Sequence, residues 1–121
     1  MGKSLIVGKP LSLMLSSRGA TVTIAHSKTV DLKSEIKNAQ IVVCAAGKPG
    51  LVQGDWIQKG AVVIDVGMTR LESGKVSGDV DFEKAKDNAF AITPVPGGVG
   101  PMTIAYLMKN ILKAKKMQKG R

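Results

Sequence analysis

The chain reads as an α/β protein built on a mostly parallel sheet with flanking helices. Two continuous apolar runs, Ile41–Ala46 and Ala61–Val66, have the pattern of strands buried on both faces. Segments with helical spacing alternate with them, which suits crossovers between parallel strands. Glycine and proline cluster between the two kinds of segment, above all at residues 94–101.

Taken in order, Pro10 opens a short helix whose Leu11, Met14 and Leu15 form an i, i+3, i+4 stripe. It stops near Arg18-Gly19, where glycine suits the left-handed cap position. Ala20–Ala25, rich in β-branched residues, predicts a strand. Asp31–Asn38 predicts a short helix capped by Asp31. After the run Ile41–Ala46 and a loop at Gly47–Gly50, one helical turn is expected at Asp55–Lys59. The second apolar run carries one acid, Asp65. A polar hairpin-like stretch lies around Glu72–Lys75, and Asp81 caps a helix predicted over Asp81–Asp87. Phe90–Thr93 predicts a last short strand. Met102–Met117 is the longest expected helix. Its Ile104, Leu107, Met108, Ile111 and Leu112 need an apolar partner surface.

With 121 residues, 44% hydrophobic and 22% charged, the chain fits one compact soluble domain over residues 1–121. Disorder and collagen-like repeats do not fit that composition. A single cysteine, Cys44, allows no internal disulfide and suits a reducing compartment. No apolar run is long enough to span a bilayer, and residues 1–20 lack a signal-peptide layout, so a cytoplasmic protein without membrane contact is expected. The formal charge of +9 is uneven. Lys109, Lys113, Lys115, Lys116, Lys119 and Arg121 lie in a tail without acids, and residues 1–108 carry 12 basic against 9 acidic side chains. Lysines at a helix C-terminus suit its dipole; a phosphate-binding patch is the other reading. An aromatic content of 3% argues against stacking on bases, and no nucleic-acid partner is expected.

The opening residues Gly2-Lys3-Ser4…Val7-Gly8-Lys9-Pro10 put glycines before a helix N-terminus, where backbone can approach a pyrophosphate. The spacing misses the usual G-x-G-x-x-G pattern, so a plain strand-to-helix turn remains open. At the end of the expected second strand, His26-Ser27-Lys28-Thr29 offers no carboxylate for a ribose hydroxyl. Ser27, with Lys3 and Lys28, would instead welcome a 2′-phosphate, which favours NADP over NAD if a dinucleotide binds here. The alternative is a polar loop without a ligand. Pro94–Pro101 holds three prolines and three glycines in eight residues, between a strand and a helix. That placement puts it at the carboxyl edge of the sheet, where open α/β folds bind ligands. Thr103 in the first helical turn can cap or bind a ligand. His26 could be a general base or a loop hydrogen-bonder, and Cys44 is a packing residue rather than a reactive one. Asp65 could be catalytic, but bonding to nearby backbone is the commoner role. No His/Cys cluster has metal-ligand spacing, so no metal is expected.

These segments, with Val63-Ile64-Asp65-Val66-Gly67, Gly78-Asp79-Val80 and above all Ile92-Thr93-Pro94-Val95-Pro96-Gly97-Gly98-Val99-Gly100-Pro101-Met102-Thr103, resemble one family. It is the bifunctional methylenetetrahydrofolate dehydrogenase/methenyltetrahydrofolate cyclohydrolases, and the likeness runs from residue 2 to about residue 117. The resemblance implies a Rossmann-like cofactor domain. It also implies NADP-dependent oxidation of 5,10-methylenetetrahydrofolate, followed by hydrolysis to 10-formyltetrahydrofolate. It places cofactor contacts at Gly2, Lys3, Ser4, Ser27 and Met68. The tetrahydrofolate side falls to Pro96, Gly97, Gly98, Val99, Gly100, Pro101, Met102, Thr103 and Ile104. Lys3 stands where most relatives carry Arg, keeping charge but losing bidentate geometry, and Met68 stands where Ile is common.

The likeness covers only the second of the family's two domains. The Tyr-x-x-x-Lys motif of the catalytic N-terminal domain is absent, since Tyr106 is followed by Lys109 at the wrong spacing. No catalytic residue is therefore assigned, and the isolated chain is expected to be inactive. The domain's first strand is expected to be missing as well, and the closing helix would lack the first domain it packs against. A homodimer through cofactor domains is implied. The alternative is a stand-alone NADP-binding or interaction module without catalysis.

Overall fold

A computed structural model describes residues 1–120. Three short parallel strands form the central sheet in the order β1-β2-β5, with β1 at Ile41–Cys44, β2 at Val62–Asp65 and β5 at Ala91–Ile92. Ile41 pairs with Val62 and Cys44 with Asp65, so both apolar runs enter the sheet in step. Between β2 and β5 lies an antiparallel hairpin of β3 (Thr69–Arg70) and β4 (Val76–Ser77), which matches the polar stretch expected there.

The helices are α1 (Gly8–Ser16), α2 (Leu32–Lys37), α3 (Phe82–Ala85) and α4 (Val99–Lys119). Both expected aspartate caps are formed. Ser34 N–H donates to Asp31 Oδ1 at 3.0 Å and Lys84 N–H to Asp81 Oδ1 at 3.4 Å. Each satisfies an amide that helix geometry leaves without an internal partner. The turn expected at Asp55–Lys59 is a single 3-10 turn one residue earlier, at Gly54–Trp56. Gly19 takes a φ of +83° just past α1.

The core lies on one face of the sheet. Val42, Cys44 and Val63 point into a cluster with Ile36, Val52, Ile57, Val80 and Ala85, all buried. The period-two alternation explains this, because neighbouring Val43, Val62 and Ile64 face the other side and are only partly covered. The expectation of strands buried on both faces is therefore corrected. Neither α1 nor α4 contributes a buried residue to the second face. The apolar stripe of α4 is unpartnered within the described residues, with Ile104, Leu107, Ile111 and Leu112 all more than half exposed.

A second correction concerns Ala20–Ala25, which forms no strand. A cavity of about 730 Å³ separates Thr21–Ala25 from Ile41–Val43 of β1. With that gap on its inner side, the segment has no ladder to join, and β-branched composition alone does not make a strand. The two sides meet only at the end of the gap. There the Met1 amine donates to Val43 O, Ala45 N–H donates to Met1 O at 2.9 Å, and Gly2 N–H donates to Ala25 O at 2.9 Å.

Residues 109–119 of the basic tail lie on exposed α4, where Lys109 Nζ sits 5.3 Å from the Tyr106 ring centroid. Arg121 lies outside the described residues. No helix among the described residues is long and apolar enough to cross a membrane.

Two outcomes follow from the core. Val63 is 1% exposed, so Val63→Ala should lower unfolding free energy by about 2 kcal/mol, read as a fall in urea midpoint. Burial pushes the Cys44 thiol up to about 12. Its contribution to stability is complete below the ordinary thiol value of 9.0 and is lost as pH rises from there through about 12. At pH 8 a thiol-specific disulfide reagent should leave native Cys44 unreacted and label it fully in urea; rapid labelling of the folded chain would show that the thiol is not sealed.

Candidate functional site

Parallel strands deliver their C-terminal loops to one edge, and most of the sequence-derived site residues gather there. Gly2, Lys3 and Ser4 lie beside the end of β1. Gly2 has a φ of +99°, and a Cβ on it would overlap the carbonyl oxygen of Ala45. Glycine is required at this point by both backbone conformation and close approach. Ser4 Oγ accepts from Val7 N–H at 3.2 Å and Gly8 N–H at 3.3 Å, so Ser4 ties the loop to the start of α1. Its hydroxyl proton stays free to donate outward. The backbone amides of Lys3 and Ser4 have no protein acceptor among the described residues.

Ala25 is bonded to Gly2, which brings the following turn to the same edge. That turn is locked from within. Thr29 N–H donates to His26 O at 2.9 Å, His26 N–H to Thr29 Oγ1 at 2.9 Å, and Lys28 N–H to His26 Nδ1 at 3.2 Å. His26 is thus a loop hydrogen-bonder whose Nδ1 is already occupied as an acceptor. Ser27 and Lys28 are exposed on the turn, and the turn contains no carboxylate.

The loop after β2 brings Gly67 and Met68, and Met68 is 72% exposed. Gly67 packs so closely that a Cβ would overlap the Asp79 carboxyl group. The loop after β5 runs through a cis Val95-Pro96 bond and Gly97 at φ +101° into α4. Pro96, Gly97 and Gly98 lie in this loop, while Val99–Ile104 form the first turns of α4, which begins three residues before the expected start. Thr103 Oγ1 donates to Val99 O at 3.0 Å. It is back-bonded to its own helix, as hydroxyls inside helices often are, and does not cap it.

Sequence reasoning missed Asp79 at this edge. It is 0% exposed, and its carboxylate accepts from Ala46 N–H at 2.6 Å, Gly47 N–H at 3.0 Å and Lys48 N–H at 2.7 Å. Asp65 supports it from below, accepting from Gly67 N–H at 2.9 Å, Asp79 N–H at 3.1 Å and Val80 N–H at 2.9 Å. Backbone bonding, the commoner of the two roles open to Asp65, is thus what it does. Burial pushes the Asp65 carboxyl above its ordinary range, with the three amides pulling the other way and the nearby Asp79 charge adding to the rise. The available signal for Asp79 was the pairing of an acid after glycine with Gly67 across the hairpin.

Open loops, amides without partners and glycine-permitted close approach at the carboxyl edge of a parallel sheet define a dinucleotide-binding α/β domain. A family model described as "Tetrahydrofolate dehydrogenase/cyclohydrolase, NAD(P)-binding domain" matches residues 1–119, and the chain belongs to that family. It is 59% identical over 116 residues to the bifunctional protein FolD of Magnetococcus marinus, covering 96% of this chain and 41% of that protein. Among solved structures, the bifunctional FolD dehydrogenase/cyclohydrolase of Campylobacter jejuni superposes with a TM-score of 0.94 at 50% identity, over 97% of this chain and 42% of the other. The Trypanosoma brucei FolD enzyme, solved with NADP cofactor and an inhibitor, superposes with a TM-score of 0.91 at 46% identity over 97% and 42%. The chain therefore spans about two fifths of the length of these relatives.

Gly67→Ala should test how tightly the edge is packed. Forcing a methyl group into the Asp79 carboxylate should cost about 1–3 kcal/mol, read as a lower thermal midpoint. An unchanged midpoint would show that the loops give way easily.

Proposed function

We propose that this chain is the NADP-binding half of a bifunctional enzyme that oxidises 5,10-methylenetetrahydrofolate to 5,10-methenyltetrahydrofolate and hydrolyses that to 10-formyltetrahydrofolate. The observation that carries the reading is the meeting of Gly2–Ser4, His26–Thr29 and Gly67–Met68 at the carboxyl edge, in a chain whose family is the NAD(P)-binding domain of these enzymes.

The residues present fit the cofactor. Gly2 lets a pyrophosphate approach the backbone, and the partnerless amides of Lys3 and Ser4 can donate to its oxygens. The Lys3 ammonium adds charge. Ser27 and Lys28 suit a 2′-phosphate, and the absence of a carboxylate in their turn removes the usual partner of a bare ribose hydroxyl. Met68 offers apolar surface to the cofactor. Bound NADP supplies the hydride acceptor for the oxidation. Pro96, Gly97, Gly98, Val99, Gly100, Pro101, Met102, Thr103 and Ile104 would face the tetrahydrofolate derivative and help exclude water from it.

No residue here takes the part of the lysine in the family's Tyr-x-x-x-Lys motif, so catalysis requires an N-terminal domain. The exposed apolar stripe of α4 supports such a partner, and the cavity beside Thr21–Ala25 supports a further strand leading into Gly2. Homodimerisation through cofactor domains, a cytoplasmic location and a place in one-carbon supply for purine biosynthesis belong to the same reading.

NADP should raise the thermal midpoint of the chain and bind about tenfold tighter than NAD. Ser27→Asp should reverse that preference, since a carboxylate repels the 2′-phosphate and accepts from a free ribose hydroxyl. Titration calorimetry measures both, and equal affinities for the two cofactors would remove Ser27 from the account. The chain alone should not turn over methylenetetrahydrofolate with NADP; turnover by the purified chain would refute the need for a second domain.

A further inference from the structure

Three successive amides, those of Ala46, Gly47 and Lys48, converge on one point behind the loop that follows β1. With Gly47 at a φ of +66°, this is a backbone nest, a geometry that binds anions. Here it is filled from inside by Asp79, whose carboxylate is fully buried.

The same carboxylate is wedged against Gly67, where even a methyl group would not fit. Its own backbone is anchored on both sides. Asp79 N–H donates to Asp65 Oδ1 at 3.1 Å, and Asp79 O accepts from Val52 N–H at 2.9 Å. The loop after β1, which abuts Gly2, and the loop after β2, which carries Met68, are therefore held by one side chain that itself cannot shift.

We propose that Asp79 is the positioning residue of the cofactor edge: an internal acceptor that fills the Ala46–Lys48 nest and locks the loops after β1 and β2 together. This rests on the cofactor reading above, which gives the edge its ligand. Fully buried, Asp79 lies out of a ligand's reach. It acts through Ala45 and Ala46 on the position of Gly2, and through Gly67 on that of Met68. A carboxylate is required because three converging N–H groups need an acceptor on each side. An amide in its place would turn donors toward donors.

The test uses the full chain and its Asp79→Ala and Asp79→Asn variants, with formate as a replacement anion and chloride at equal ionic strength as control. In Asp79→Ala, NADP affinity should fall about tenfold or more, as misplaced binding groups do. Formate should recover part of that affinity, raise the thermal midpoint, and shift the amide resonances of Ala46, Gly47 and Lys48. The parent chain should show none of these responses to formate, because its nest is closed. A purely structural role would lower the midpoint without this anion-specific recovery.

An Asp79→Ala chain that binds NADP within twofold of the parent overturns the proposal. So does one whose three amides and midpoint ignore formate. Where Asp79→Ala fails to fold in chloride, folding in formate supports the proposal. Failure in both salts hands the decision to Asp79→Asn. A folded Asn variant with parental affinity overturns it, and a folded one weakened about tenfold supports it. If the parent itself does not bind NADP, the cofactor reading falls, while the formate response of the three amides still decides the role of Asp79.

Discussion

The carboxyl edge of this domain depends on two buried carboxylates stacked in series. Asp65 ends β2 and gathers the amides of Gly67, Asp79 and Val80; Asp79 then gathers those of Ala46, Gly47 and Lys48. Six amides that strand ends would leave without partners are thereby satisfied inside the protein. Charge-assisted bonds of this kind are about twice as strong as neutral ones, and leaving either carboxylate unpartnered would be costly. The short strands can stop where they do because these side chains take over from the ladder.

That arrangement separates rigid from open parts of the edge. The amides of Ala46, Gly47, Lys48 and Gly67 are spent internally on Asp79 and Asp65. The Gly2–Ser4 loop is bonded through Gly2 N–H, Ser4 O and Ser4 Oγ, yet keeps the amides of Lys3 and Ser4 free. An anionic ligand would therefore find no free amide at Ala46–Lys48, while those of Lys3 and Ser4 stay open to it. The turn at His26–Thr29 bonds the amides of His26, Lys28 and Thr29 within itself and leaves the Ser27 and Lys28 side chains exposed.

The packing is one-sided. Val42, Cys44 and Val63 bury against α2, α3 and the 3-10 turn, while the opposite face and the whole of α4 keep apolar surface in contact with solvent. Exposed apolar patches of this kind mark interaction surfaces. They agree with relatives more than twice the length of this chain, in which the matched segment is one part of a larger enzyme.

Local chemistry was legible in the sequence. The two valine-rich runs became β1 and β2, Asp31 and Asp81 became helix caps, and the Pro/Gly loop fell between a strand and a helix, because each depends on neighbours within a few residues. Tertiary structure decided what needs a distant partner. The placement of Gly2–Ser4 and Ser27 beside the carboxyl edge comes from Met1 and Gly2, whose backbone bonds tie Ala25 to the end of β1. Ala20–Ala25 has strand composition but no ladder, because pairing is supplied by another segment and a cavity stands in that place. The longest apolar helix buries nothing, because a stripe records only that a surface is wanted. Asp79 looked like any acid after a glycine; its role exists because folding brings three amides, more than 30 residues away in sequence, onto its carboxylate.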